Sequence, residues 1–180
     1  MREIKINRIW AMPNKWTFRI KPIAELIKKY ILKNNNWIDP FAGMYSPAKY
    51  RNDLNPECNA DFNEDARDFL KRFSDNEVDG VLFDPPYSVR QVVECYKGIG
   101  KVATHEETKM TFYSICKNEM ARIIKINGYA ICFGWTSMGL GKNRGFKMIE
   151  ILLVPHGGTK NDTICTVEKK IINMNQEMKF

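Results

Sequence analysis

With 180 residues, 44% of them hydrophobic and 12% aromatic, the chain holds enough apolar material for one domain with a sizeable core, which excludes disorder over most of its length. A formal net charge of +7 favours encounter with a polyanion such as nucleic acid, a tendency that any solvated lysine-rich surface shares. Met1 to Ile6 alternates charged and apolar residues without a signal-peptide block, and no apolar run approaches the ~20 residues of a membrane span, so a cytoplasmic protein without membrane contact is expected. The five cysteines (Cys58, Cys95, Cys116, Cys132, Cys165) contain no Cys-x-x-Cys pair, and His105 and His156 lie far apart, which speaks against a disulfide framework and a metal site.

In chain order, Ile23, Leu26, Ile27, Tyr30 and Ile31 recur at helical spacing and predict a helix from Pro22 to Leu32, stopped by Asn34-Asn35-Asn36. Trp37-Ile38 reads as a short strand running into a loop at Asp39-Pro40, with Gly43 supplying a turn. A weak strand over Lys49 to Asn52 ends at Asp53, and Ala66 to Phe73 predicts a helix capped by Asp65. Val81-Leu82-Phe83 suits a strand buried on both faces. Phe112, Ile115, Cys116, Met120, Ile123 and Ile124 predict a long helix, which Asn127-Gly128 should close before a strand over Tyr129 to Phe133. Phe146 to Val154 and Thr163 to Val167 are two further strands, joined through Pro155 to Asp162 in an antiparallel return. No repeat or compositional break divides the chain, so residues 1–180 read as a single α/β domain with a mostly parallel sheet and an antiparallel C-terminal hairpin at its edge.

An open parallel sheet binds ligands beyond the carboxyl ends of its strands, and acids stand at those places: Asp39, Asp53, Asp65 and Asp84. Asp84-Pro85-Pro86-Tyr87 is the most informative segment. Two prolines after a buried strand fix the backbone and leave the Pro85 carbonyl without a ladder partner. The Asp84 carboxylate and that carbonyl then form a rigid pair of acceptors. An exocyclic amino group of adenine or cytosine is a poor nucleophile because its lone pair is delocalised into the ring. Two acceptors, each taking one N–H, turn that lone pair toward an electrophile, while Tyr87 stacks on the base. A Pro-Pro turn capped by an aspartate would look the same locally, and each acid taken singly would serve as a helix cap or turn residue.

Asp84-Pro85-Pro86-Tyr87 after an apolar strand resembles the signature of the amino-group DNA methyltransferases, in its adenine-N6 form. Asp39-Pro40-Phe41-Ala42-Gly43 resembles that family's cofactor loop, and Phe18-Arg19-Ile20-Lys21-Pro22-Ile23 the segment before it that helps hold the cofactor carboxylate, where Lys21 suits the charge. Asn52-Asp53-Leu54-Asn55-Pro56 is similar to the second motif, whose acid accepts the ribose hydroxyls, and Asp65-Ala66 to the third, near the cofactor adenine. The resemblance runs from about Phe18 to Lys169. It implies a Rossmann-like class I fold, S-adenosyl-L-methionine as cofactor, and direct methyl transfer to a flipped-out adenine, with Asp84, Pro85, Pro86 and Tyr87 as catalytic residues and no metal. Transfer to a ring carbon through a cysteine following a proline is not supported, because none of the five cysteines follows one.

Three departures stand out. Met44-Tyr45 replaces the second glycine often found after the cofactor loop. A separation of only twelve positions from Asp53 to Asp65 leaves no space for the usual strand, helix and strand, so that part of the fold is expected to be trimmed. No interval has room for a separate recognition domain, which leaves loops to meet nucleic acid. Ser88 to Thr111, with Ser88, Arg90, Lys97, Lys101, His105 and Lys109, reads either as a contact surface or as a helix plus a solvated loop. Trp135 to Phe146, with Trp135, Lys142 and Arg144, reads as phosphate contact or plain surface loop, and His156 as substrate donor or structural residue. Trp10 and Trp16 read as stacking groups or core caps. Adenine in RNA, the amino group of cytosine, and a non-catalytic methyltransferase-like subunit, alone, as a homodimer or beside a partner, remain alternatives to methylation of DNA.

Overall fold

The computed structural model describes residues 3–31, 36–104, 109–158 and 160–172. Its strands are β1 Lys5–Arg8, β2 Trp37–Asp39, β3 Tyr50–Arg51, β4 Val78–Phe83, β5 Ile124–Gly134, β6 Phe146–Val154 and β7 Thr163–Lys170. They form one sheet in the order β1-β6-β7-β5-β4-β2-β3. Only β7 runs against its neighbours, pairing antiparallel with β5 and β6, while every other pairing is parallel. The reversed strand lies inside the sheet between β6 and β5, and the β6–β7 hairpin is not at the edge, because β1 adds a parallel strand beyond β6. Nothing local announces β1. Its apolar residue Ile6 is 63% exposed, so it carries no buried face for a pattern to reveal.

The two faces follow the two-residue alternation of the strands. On one, helix α1 (Lys21–Tyr30) buries Ile23, Leu26 and Ile27 against Leu82, Ile131, Leu152 and Val167. On the other, α2 (Ala66–Lys71) and a long helix packed beside it (Met110–Ile123) bury Phe69, Leu70, Cys116, Met120 and Ile123 against Val81, Phe83, Ala130 and Cys132. Between them in sequence, α3 (Val89–Gly98) buries only Val92, and the long helix is α4. Asn34 and Asn35, expected to end α1, lie outside the described residues, and so does His105.

Asn127-Gly128 does not close α4. The helix ends at Ile123, β5 begins at the next residue, and Asn127, at φ 68°, sits in an irregularity where pairing jumps from Val78–Ile124 to Gly80–Tyr129. The helix end is closed from far along the chain. Lys170 is 1% exposed, and its Nζ donates to the carbonyls of Ala121 (2.7 Å) and Ile124 (2.6 Å) and to Asn76 Oδ1 (3.1 Å). Lys170→Met keeps the stem and strands those acceptors, so a loss of about 2 kcal/mol is expected in chemical denaturation. Unchanged stability would show that the cap is dispensable.

The interval from Asp53 to Asp65, expected to be trimmed, holds only a 3-10 turn over Pro56–Cys58, with a lone parallel bridge between Asn52 and Phe62 in place of a further strand; upstream of it, no helix joins β2 to β3. Strands β2, β3 and β4 all end on one side of the sheet, where their loops enclose a cavity. Among the described residues no helix is long and apolar enough to cross a membrane.

Candidate active site

The cavity measures about 530 Å³, within the range of small-molecule sites. Pro40, Phe41, Ala42 and Gly43 from the loop after β2 line it. Gly43 adopts φ +53°, and its N–H donates to Asp53 Oδ2 (2.8 Å), while Asn55 N–H donates to Asp53 Oδ1 (2.8 Å). Each Asp53 oxygen thus takes one backbone donor and keeps acceptor capacity toward the cavity, which Asp53 and Leu54 also line.

Asn52, which the sequence reading passed over in favour of its neighbour, holds this wall together. It is 1% exposed. Its Nδ2 donates to the carbonyls of Pro40 (3.1 Å) and Glu64 (3.0 Å), and its Oδ1 accepts from Glu64 N–H (3.0 Å). One amide therefore joins the loops after β2 and before α2, work that a crossover helix would otherwise do.

Asp39, expected among the cofactor residues, does not line the cavity. It is fully buried beneath its own loop, where Oδ1 accepts from Phe41 N–H (2.9 Å) and Oδ2 from the Ser46 hydroxyl (2.6 Å). Burial pushes its carboxyl up to about 8, against the pull of those two donors and with the help of nearby Asp84 and Asp53. The folded chain then keeps a proton that the unfolded chain releases near the ordinary carboxylate range. Stability must fall as pH rises from that range to about 8, and level off above it. In Asp39→Asn, melting temperatures measured from pH 5 to 9 should lack this decline relative to the natural chain. Parallel curves would mean that Asp39 ionises freely when folded.

Asp65 caps α2 through Arg67 N–H (2.8 Å) and is gripped by the Arg67 guanidinium at 2.8 and 2.9 Å. Burial raises its carboxyl, and Arg67 overrides this and holds it below the usual range. Asp65 and Ala66 line the cavity, but the carboxylate is already committed, so a role toward the cofactor would be shared with the cap.

Lys21 and Pro22 open α1 outside the cavity. A 3-10 turn over Thr17–Arg19 redirects the chain ahead of the helix, so the wall is made by Lys15, Trp16, Thr17 and Phe18 instead. Of the two tryptophans flagged in the sequence, Trp16 faces the cavity and packs edge-on to Tyr45 (5.6 Å), while Trp10 remains 59% exposed elsewhere.

All four residues of Asp84-Pro85-Pro86-Tyr87 line the same cavity. The Pro86 carbonyl is taken by the Tyr113 hydroxyl (2.7 Å), a pin that sequence reading missed, and Tyr87 N–H donates to Gln91 Oε1 (2.6 Å). The Pro85 carbonyl accepts no hydrogen bond from the described residues. Tyr87 donates its hydroxyl to Asp84 Oδ1, and its ring packs edge-on to Trp135 (5.6 Å) at the end of β5. Burial raises the Asp84 carboxyl above its ordinary value, and the Tyr87 and Thr17 hydroxyls pull it back only in part. The Tyr87 phenol is itself pushed up by burial and by Asp84, so it stays a donor.

The nucleic-acid candidates separate. Ser88 caps α3 by accepting from Gln91 N–H (3.3 Å), Arg90 pairs with Glu94 (2.8 Å) on the surface of that helix, and Trp135 is half-exposed beside Tyr87. Lys142 is exposed but outside the cavity lining. Arg144 donates to Asn118 (2.8 Å), the Leu140 carbonyl (3.0 Å) and Ser114 (3.2 Å), which fixes its loop to α4. His156 is likewise structural: 8% exposed, with Nδ1 on the Ala11 carbonyl and Nε2 on Thr163 Oγ1, both at 2.9 Å.

A sheet with this order, one reversed strand inside its end, and a cavity beyond the parallel strands is the Rossmann-like fold of class I S-adenosylmethionine-dependent methyltransferases. Solved structures share it. TrmN from Thermus thermophilus is 17% identical, with TM-score 0.57 over 84% of this chain and 49% of that one, so the present chain spans about half its length. The Burkholderia thailandensis 1,6-didemethyltoxoflavin-N1-methyltransferase, solved with its substrate and S-adenosylhomocysteine, is 10% identical, with TM-score 0.57 over 84% of this chain and 78% of that one. An rRNA methylase from Streptococcus thermophilus is 8% identical, with TM-score 0.53 over 82% and 93%. No family model and no curated protein matches the sequence.

Proposed function

We propose that the chain transfers a methyl group from S-adenosylmethionine to the exocyclic amino nitrogen of a nucleobase, adenine N6 in DNA, within one α/β domain. The observation that carries this is one cavity in which Asp53, with acceptor capacity to spare, shares the space with Asp84 and with Pro85, whose carbonyl accepts no hydrogen bond from the described residues. The lining fits a sulfonium cofactor better than a nucleoside polyphosphate: it brings Asp53, Glu64, Asp65, Asp84 and Glu94 against one cation, Lys15, among many aromatic rings.

S-adenosylmethionine supplies, when bound, a methyl group on a cationic sulfur. Asp53 accepts the ribose hydroxyls, and Lys15 stands in the wall where Lys21 had been expected to meet the carboxylate. Asp84 and Pro85 each accept one N–H of the target amine, and Tyr87 offers its ring to the base once its hydroxyl leaves Asp84. Asp84, already a hydrogen-bond acceptor there, would be placed to take the proton that the amine sheds on accepting the methyl group.

RNA is the second reading, favoured by the likeness to a structure described as an rRNA methylase. The same acceptor pair would also serve the amino group of cytosine. Incubation of DNA and RNA with methyl-labelled cofactor, followed by mass spectrometry of the nucleosides, tests all of these. N6-methyldeoxyadenosine supports the proposal, and N6-methyladenosine moves it to RNA. Binding of S-adenosylhomocysteine without transfer to any polynucleotide overturns it in favour of a non-catalytic subunit.

A further inference from the structure

A second pocket, of about 400 Å³, lies on the α1 face toward the other end of the strands. Tyr129, at its edge, stands four residues before Phe133 on β5, about 13 Å along the sheet from the level of Asp84. The pocket is lined by Lys5, Lys29, Lys147 and Lys169 against Glu3 and Glu150, the opposite charge balance to the catalytic cavity.

Its floor is a row across three strands. Tyr129 pairs with Lys169, and Lys169 pairs directly with Lys147, so two ammonium groups occupy facing positions on one side of an antiparallel ladder. Like charges so placed destabilise a sheet. Neither lysine makes an ion pair or a hydrogen bond among the described residues, Glu3 at the rim of the pocket included, and Lys169 has only the Tyr129 ring, 6.0 Å away. Glu150 cannot serve. It is 4% exposed and already accepts from Lys29, Tyr30 and Asn7, with Lys5 at 3.8 Å. The fold thus holds two uncompensated cations in a concave site beside the tilted ring pair Tyr30–Tyr129 (5.3 Å).

We propose that Lys147 and Lys169 form a phosphate-binding site that holds the backbone of the polynucleotide substrate at a distance from the base being modified. The proposal rests on the reading of the chain as a nucleobase methyltransferase. The catalytic cavity, lined by carboxylates, attracts no polyanion, and this face supplies the attraction it lacks.

The experiment measures oligonucleotide affinity against salt concentration for the natural chain, for Lys147→Gln/Lys169→Gln, and for Lys28→Gln/Lys160→Gln, which removes the same charge from exposed positions elsewhere. Loss of two phosphate contacts should flatten the log–log salt slope by about 1.4 for a single strand or about 1.8 for a duplex. The control pair should change it far less. Affinity for S-adenosylhomocysteine should stay unchanged, and the melting temperature of the first variant should hold or rise as the repulsion disappears. Equal slopes for all three proteins overturn the site. Lysine-dependent binding of inorganic pyrophosphate with an unchanged oligonucleotide slope also overturns it, since the ligand would then be a free phosphate compound. Methyl transfer with unchanged slopes refutes the site and leaves the activity standing. A flattened slope without any transfer does the reverse.

Discussion

Replacing Asp84 by alanine should lower the rate of methyl transfer by about 10²–10³-fold while leaving affinity for S-adenosylhomocysteine within a few-fold of the natural chain. The reason is geometric. Asp84 and Pro85 both line the cavity, and alanine removes the proposed carboxylate acceptor without disturbing the prolines that fix the carbonyl one. Asp84→Asn separates acceptor from charge. Asparagine keeps an oxygen acceptor but cannot titrate, and the natural carboxyl is raised by burial, so it is protonated at a pH where an exposed aspartate would not be. On the proposed reaction, the natural chain should therefore lose kcat/KM as pH falls, with an acid limb above the ordinary carboxylate range. Asp84→Asn should retain measurable turnover and lose that limb. Undiminished transfer by Asp84→Ala, or an acid limb that persists in Asp84→Asn, would remove Asp84 from the reaction.

The largest structural effect is expected at Gly80. In the sheet register it faces Trp37, and a Cβ there would stand 2.6–2.7 Å from three atoms of the indole. Trp37 is 1% exposed and its Nε1 has no hydrogen-bond partner among the described residues, so packing places the ring. Gly80→Ala should cost about 3 kcal/mol in denaturant titration, at the upper end of overpacking effects, because neither strand can retreat from a buried ladder. Adding Trp37→Phe should return part of that loss by vacating the space the methyl needs. If the two losses simply add, the collision is not the cause.

What could be read in advance was what is contiguous. Asp84-Pro85-Pro86-Tyr87, the loop from Pro40 to Gly43 and the acid at Asp53 each carry their geometry in neighbouring residues, and all of them line the cavity. The long helix α4 and strands β4 and β6 were legible from apolar spacing because burial imposes it. The misreadings share a different cause. Asn127-Gly128 is a locally sensible helix stop, yet α4 is closed by Lys170, 46 residues beyond its last capped carbonyl at Ile124. Lys21 had the charge for the cofactor carboxylate, but the turn at Thr17–Arg19 brings Lys15 to the cavity wall instead. Arg144 and His156 left two readings open in the sequence because their partners, Ser114, Asn118, Ala11 and Thr163, meet them only after folding. Asn52 and Tyr113 gave no signal, since an asparagine beside an acid and a tyrosine on a helix are ordinary until the loops converge on them.

The mooring of the N-terminal segment bears on the order of assembly. Lys15 to Phe18 form one wall of the cavity, and the residues just before them are fastened to the last third of the chain: Ile9 N–H to Leu153 (2.9 Å), Ala11 N–H to Pro155 (3.2 Å) and the Ala11 carbonyl to His156. During synthesis the first-made wall therefore waits for β6, which emerges more than 130 residues later. Strand β4 and the acceptor pair can form long before the pocket they serve exists. A nascent chain stalled before Phe146 should fail to retain S-adenosylhomocysteine, even with every residue that would touch it already translated.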